Sequence, residues 1–227
     1  MKLLQRIRRI KQLKRFYQKG NTITIVSLTG DIKTNPLVIQ NLDIVATGSG
    51  NRVILHTPYT AKMKIRLTSN TEIVIESGCE ISGTFCIIKT RGEQHNFVHI
   101  GKNFGCGSNA TIDITDHGNV IIGEDCKFSW NIYIKSDDTH PVFSVISNKA
   151  INESTQIVIG NHVWIGMNTT ILKNSRIPSN CVIGACSVVA GKFDTENCAL
   201  AGNPARIVKN DINWSHGSIA DFIKTQS

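Results

Sequence analysis

Aliphatic residues return every six positions through the second half of this chain: Ile159, Ile165, Ile171, Ile177, Ile183 and Val189. Three earlier runs keep the same step: Ile75, Ile81, Ile87; then Ile100, Cys106, Ile112; then Ile122, Phe128, Ile134. All of these positions are apolar, whereas a chain that is 41% hydrophobic would fill well under half of them by chance. A step of six is neither a helix period nor the alternation of a half-buried strand. It predicts a prism with three short flat sides per coil, each aliphatic side chain pointing inward and stacking on its counterpart one coil away. Glycine often follows the aliphatic, as at Gly101, Gly123, Gly160 and Gly166, and is read as permitting an unusual turn angle. Four residues after the aliphatic stands a small or modest residue, such as Cys79, Ala110, Cys126, Thr169 or Ser187, expected at the tight corner. Each coil buries its face only against its neighbours, so the architecture is a solenoid.

The rest of the chain is organised around that repeat. Leu3, Ile7, Ile10, Leu13 and Tyr17 recur every three or four residues, which predicts an amphipathic helix over 1–20 that stops at Gly20. Residues 21–74 alternate in the strand manner, as in Ile23 and Ile25 or Met63, Ile65 and Leu67, and read as irregular strands or early coils. The regular solenoid spans 75–194 and is broken by a loop over 135–156 that carries no six-residue step. A long loop inside a regular solenoid is usually functional or disordered. Residues 195–227 form a C-terminal cap that ends in a short helix. The fold class expected is all-β: a parallel β-helix solenoid with an extended active-site loop, an N-terminal amphipathic helix and a short C-terminal helix.

Charge changes the picture only at one end. The net charge is +8, but residues 1–20 hold eight basic residues and no acid, so the body is neutral. A neutral body has no basic excess to offer a phosphate backbone, which sets nucleic acid aside. The basic helix either packs on the body with a solvated face or lies on an anionic inner-membrane surface. No apolar stretch is long enough to span a bilayer and no apolar run follows the first basic residues, so a cytoplasmic protein is expected, with contact to the inner membrane through residues 1–20 left as the second of those two alternatives. Seven cysteines without a Cys-x-x-Cys pair fit reduced thiols and no metal.

The pieces "IVIGNHVWIG", "VIGACSVVAGK" and "AGNPARIVK" between Ile157 and Lys209 resemble the hexapeptide-repeat acetyltransferases. His140-Pro141 precedes Trp164 inside the loop where that family keeps its histidine. The likeness covers roughly residues 98–210, and the irregular N-terminal region is most like the capsule O-acetyltransferases of the polysialic-acid type. The resemblance implies a left-handed β-helix and a homotrimer with active sites between neighbouring prisms. It further implies acetyl-CoA as co-substrate, with no metal, and a sugar or polysaccharide acceptor covered by the loop.

A sugar hydroxyl is a poor nucleophile at neutral pH, so acyl transfer needs a base for its proton and donors for the charge that develops. A neutral imidazole suits the first task. His140 matches the family base, with Asp137 or Asp138 as candidates to orient its ring. Trp164 matches the tryptophan that lines the thioester end of coenzyme A, its indole or a nearby backbone N–H being a candidate donor. Met167 and Ala185 match positions on the pantetheine arm, and Arg206 and Lys209 match basic residues near the 3′-phosphate. Cys186 stands where the family often has glycine and Ala190-Gly191 where it has Thr-Lys, which shifts Lys192 by one place along the cofactor-binding stretch. On the acceptor side Asn109 matches an asparagine that binds the sugar. His117 replaces an acid beside Asp116, which points to a different and more acidic acceptor. Asn131 and Ser136 are further acceptor candidates.

No Gly-x-Ser-x-Gly elbow occurs, so direct transfer in a ternary complex is expected rather than an acyl-serine route. The function implied is O-acetyl transfer to a hydroxyl of a bacterial capsular or cell-surface sugar. The alternative is N-acetylation of a nucleotide-linked amino sugar. A zinc-dependent carbonic anhydrase of the same architecture would need three converging histidines. His99 and His117, one coil apart, and His95 are the candidates for that reading, and the C-terminal acyltransferase pieces argue against it. A non-catalytic scaffold would not need both His140 and Trp164.

Overall fold

The computed structural model describes residues 2–115 and 118–226, the side chains of Lys2 and Leu3 excepted. The chain winds left-handed through about 7 turns of a β-solenoid, with only 2 helices among the described residues. Helix α1 (Lys2–Gln18) closes the N-terminal end, and α2 (Ile219–Lys224) ends the chain. Among the described residues no helix is long and apolar enough to cross a membrane.

Three parallel ladders form the sides. The first begins with β1 (Thr22–Val26), whose outer edge pairs antiparallel with β2 (Ile32–Thr34). From β1 its inward column runs Ile25, Leu55, Ile75, Ile100, Ile122, Ile159, Ile177. The second side stacks Ile81, Cys106, Phe128, Ile165, Ile183 and Leu200. The third begins with β3 (Leu42–Ala46) and stacks Ile44, Ile65, Ile87, Ile112, Ile134, Ile171 and Val189. Every position of the six-residue step is buried. The coils of residues 21–74 continue the same ladders, their lengths varied by insertions at the corners. The small corner residues are buried too, and five of the seven free cysteines serve as core or corner side chains.

The glycines after the aliphatic positions act differently from the expectation. None of Gly101, Gly123, Gly160 and Gly166 has a positive φ. A Cβ on Gly101 would lie 2.5 Å from the carbonyl carbon of Gly123, and one on Gly166 2.6 Å from the amide nitrogen of Ala185. They are glycines because the next coil passes too close for a side chain. The left-handed turn falls two residues later, on Asn103, Asn109, Asp125, Asn131, His162, Asn168, Asn180 and Cys186, with φ between 53° and 63°. Asparagine tolerates that region better than most residues with a side chain.

The register of α1 is also rotated from the predicted face. Leu13 and Phe16 enter the core, whereas Ile7 stays exposed; Leu3 lies outside the described side chains. Gly20, at φ 78°, stops the helix by donating its N–H to the Tyr17 carbonyl at 2.9 Å. Gln12 fastens α1 to β3 by donating to Asp43 Oδ1 and to the Ile44 carbonyl.

Candidate active site

Alternation along the second side turns Trp164 outward while Ile165 points into the core. Trp164 lies between Lys127 of one coil and Val182 of the next. An open groove of about 380 Å³ is lined there by Glu80, Lys127, Ser129, Trp130 and Trp164. The backbone N–H of Trp164 donates to the Cys181 carbonyl within the ladder, so it is not free to serve a substrate. Among the described residues its indole N–H has no partner.

The corner after this side carries two more of the expected donor-site residues. Met167 and Ala185 are exposed and directly stacked, the Cys186 N–H donating to the Met167 carbonyl at 2.8 Å. Asn109 sits on the same corner. Its amide donates to Asn131 Oδ1 and that of Asn131 donates to Asn168 Oδ1 at 3.0 Å, an exposed amide ladder that ends on Cys186 Sγ. Cys186 therefore fills the next left-handed rung. Arg206 and Lys209 lie exposed on the hairpin Ala199–Gly202/Ala205–Lys209, which prolongs the second side.

His140 lies elsewhere. The third side ends at Lys135 and the first resumes at Gln156, and the intervening segment leaves the corner between them. Its outer part folds back on itself. Ile151 N–H donates to the Val142 carbonyl, and Phe143 and Ala150 form an antiparallel bridge. The finger exposes Val142, Phe143, Val145, Ile146 and Ile151, the tip residue Ile146 to 95%. At its base a cavity of about 190 Å³ is lined by Asp137, Asp138, Thr139, His140, Pro141 and Asn152.

The two aspartates hold this base rather than the histidine ring. Asp137 is buried and accepts from Thr139 N–H and from Thr115 Oγ1, both at 2.8 Å. Asp138 pairs with Lys173 one coil on, at 2.6 Å, and accepts from the Asn152 amide. Lys173 hydrogen bonds and the Asn152 amide keep the Asp138 carboxyl below the usual carboxylate range against a smaller opposing effect of burial. Asn152 also donates to the His140 carbonyl. The His140 ring makes no hydrogen bond to any described residue. Ser136 is buried, with no opening to an acceptor. Asp116 and His117 lie outside the described residues.

The expected site residues thus fall on two ridges of one prism. His140 and Lys192 follow the corner between the third and first sides, where Lys173, which the sequence reading did not single out, also lies. Trp164, Met167, Ala185 and Asn109 follow the second side and the corner after it. Lys192 bridges to Arg176 on the first side. A side of five or six residues at about 3.3 Å each sets the ridges on the order of 15–20 Å apart.

One cluster escaped the sequence reading. Asp125 Oδ2 accepts from His162 Nδ1 at 2.6 Å, and its Oδ1 accepts from His216 Nε2 at 2.7 Å. His162 stacks on Trp214, with ring centroids 4.2 Å apart, and the Trp214 indole N–H donates to the His162 carbonyl. Burial pushes the Asp125 carboxyl up, but the two histidine hydrogen bonds outweigh it and hold it low. These three residues are a group able to hold a metal ion by spacing alone, their ligand atoms lying within 4.8 Å of one another. Trp214 lies 6.3 Å from Trp164, and together with Ile219 and Phe222 they line a cavity of about 630 Å³. No local spacing in the sequence signals this contact, because its partners are far apart along the chain. His95 is exposed, and His99 and His56 each lie 3.7 Å from a carboxylate oxygen of Glu76.

A left-handed β-helix with a histidine-bearing loop on one ridge and an exposed tryptophan groove on another has the build of a hexapeptide-type acyltransferase. The family model described as bacterial transferase hexapeptide (six repeats) matches residues 156–191. The polysialic acid O-acetyltransferase of Neisseria meningitidis is 33% identical over 196 residues, 86% of each chain. The Escherichia coli O1:K1 / APEC enzyme of the same name is 34% identical over 137 residues, which is 60% of this chain and 43% of its own length. The crystal structure of the polySia-specific acetyltransferase NeuO superposes with a TM-score of 0.71 at 26% identity, covering 91% of this chain and 90% of that one. The chain belongs to the hexapeptide-repeat acyltransferase family, and it is an enzyme of that kind.

Proposed function

We propose that this protein transfers acetyl from acetyl-CoA to a hydroxyl of a capsular or cell-surface sugar, with His140 as general base. Polysialic acid is the acceptor named for its relatives, and a sialic-acid polymer is the first acceptor to test. The groove around Trp164 suits the donor: Trp164 and Met167 offer exposed apolar surface for a pantetheine arm, and Arg206 and Lys209 stand exposed beyond it for phosphate. Acetyl-CoA supplies the activated acyl group. The exposed His140 imidazole takes the proton of the attacking hydroxyl and passes it to the departing coenzyme A thiolate, which leaves as the thiol. The free indole N–H of Trp164 is the donor available for the charge that develops on the acyl oxygen.

The observation that carries this reading is the separation of His140 from Trp164 on one prism. Both are needed within reach of the same reacting atoms. A neighbouring chain that sets its loop ridge against this chain's tryptophan ridge brings them together. Such packing also covers the apolar finger at 142–151, an expensive surface to leave in water. Closed by three-fold symmetry it gives a homotrimer with three sites, working in the cytoplasm.

Purified protein is assayed with acetyl-CoA and sialic-acid polymer, and with amine-bearing sugar nucleotides as a control. His140→Ala lowers turnover about 10²–10⁴-fold while the trimer and donor binding persist. Near-normal turnover in that variant, a monomer by light scattering, or faster transfer to the amine would overturn the reading.

A further inference from the structure

The N-terminal end of the prism combines features that neither the core nor the active site uses. Residues 1–20 hold the chain's whole positive excess. None of Arg6, Arg8, Arg9, Lys11, Lys14 and Arg15 is paired with an acidic side chain among the described residues. Residues on α1 three and four apart share a face, so Leu4, Ile7, Lys11 and Lys14 form a stripe away from the buried Leu13 and Phe16. Leu4 is 65% and Ile7 41% exposed, and Leu37 and Val38 stand exposed beside the helix. Between α1 and β3 runs a groove of about 520 Å³ lined by Arg8, Lys11, Arg15 and Lys19, with Val45, Ala46 and Thr47 on its other wall and no carboxylate.

We propose that this end docks on an anionic lipid bilayer, with headgroup phosphates in the cationic groove and Leu4 and Ile7 entering the acyl boundary. Charge and apolarity choose this occupant together. A hydrated anionic polysaccharide would use the cations but gain nothing from two exposed aliphatic side chains among them. An amphipathic helix at a membrane surface uses both. The second half of α1 is fastened to the body by Leu13, Phe16 and the Gln12 bonds, so the helix presents its outer face without having to fold on arrival. One chain suffices for this surface. In the trimer proposed above, three copies face the same way and add avidity.

The test uses the full chain with vesicles of phosphatidylglycerol and phosphatidylcholine, against phosphatidylcholine alone, by co-sedimentation at low and high salt. The protein sediments with the anionic vesicles only, and salt releases it. The triple variant Arg8→Gln/Lys11→Gln/Arg15→Gln lowers the partition coefficient about a hundredfold, about fivefold for each charge near the surface. Leu4→Ser/Ile7→Ser weakens it as well. Both variants keep the melting temperature and the transfer to a soluble acceptor, because these side chains touch neither the core nor the site. Equal sedimentation of the triple variant, equal binding to neutral vesicles, or full displacement of the vesicles by soluble anionic polysaccharide overturns the proposal. Vesicle binding is read without catalysis, so a failure of the proposed reaction leaves this test standing.

Discussion

The side-chain amide of Asn152 holds the carbonyl oxygen of His140 at 2.9 Å. The same amide reaches Asp138 Oδ2 at 2.8 Å, and the side-chain Oδ1 of Asn152 accepts from Val142 N–H. One residue thus holds the backbone at and just after the histidine and the Asp138 side chain before it. Its consequence is a separation of effects. Asn152→Ala leaves the Trp164 groove on the other ridge intact and lets the histidine drift, and a displacement of about 1 Å costs on the order of 10²-fold in rate. Steady-state kinetics should therefore show turnover reduced tenfold to a hundredfold with donor KM unchanged. A rise in donor KM alone would mean that the loop serves binding and not the base.

Asp138 gives the loop a defined response to pH. Lys173 holds its carboxyl below the ordinary carboxylate range. A depressed folded-state value means stability that is fully present above the unfolded value of about 3.9 and lost as pH falls through the folded one. The anchor should accordingly stay intact from neutral pH down to about 5 and loosen only below about 4. Amide exchange of residues 139–151, followed by mass spectrometry after correction for the intrinsic rate, should be flat over the first range. Asp138→Asn removes the charge at every pH and should speed that exchange even at neutrality. Slow exchange in this variant at neutral pH would show that Lys173 is not the anchor.

Trp164 and Trp214 are close in space but do different work. Trp214 stacks on His162 and donates its indole N–H to that residue's carbonyl, so Trp214→Ala removes a ring contact and a hydrogen bond that hold the C-terminal segment. It should lower the melting temperature and loosen residues 213–222. Trp164 is exposed and its indole N–H is free, so Trp164→Ala should change stability little while weakening coenzyme A binding and turnover. Melting curves and coenzyme A titrations on the same preparations separate the two. The reverse pattern would make Trp164 a structural residue.

Much of this molecule is legible in one dimension because a solenoid stacks each residue on the one a coil away. The column Ile159 to Val189 needs only a six-residue rule to be placed inward, and the loop that carries His140 shows as the interruption of that rule. In the first coils, from Ile25 to Leu55, Ile75 and Ile100, corner insertions make the steps uneven. The same inward column is present there, but its register is set by backbone pairing rather than by spacing. The glycines show a finer limit. Their positions follow from the pattern, but the reason for them, a neighbouring coil passing within 2.5–2.6 Å of a would-be Cβ at Gly101 and Gly166, exists only once the coils are stacked.

The sequence by itself determined the repeat and the neutral body with its basic helix, whereas the two residues on which the chemistry is proposed to turn were singled out through the resemblance to the acetyltransferases. Tertiary structure decided how they are arranged. It set His140 and Trp164 on different ridges, assigned Asp137 and Asp138 to the loop base, and brought Trp214 and His216 onto Asp125 and His162. These contacts depend on which corner a segment leaves and where the chain returns. Periodicity fixes a residue's direction within its own coil and carries no information about a segment that crosses from one part of the surface to another.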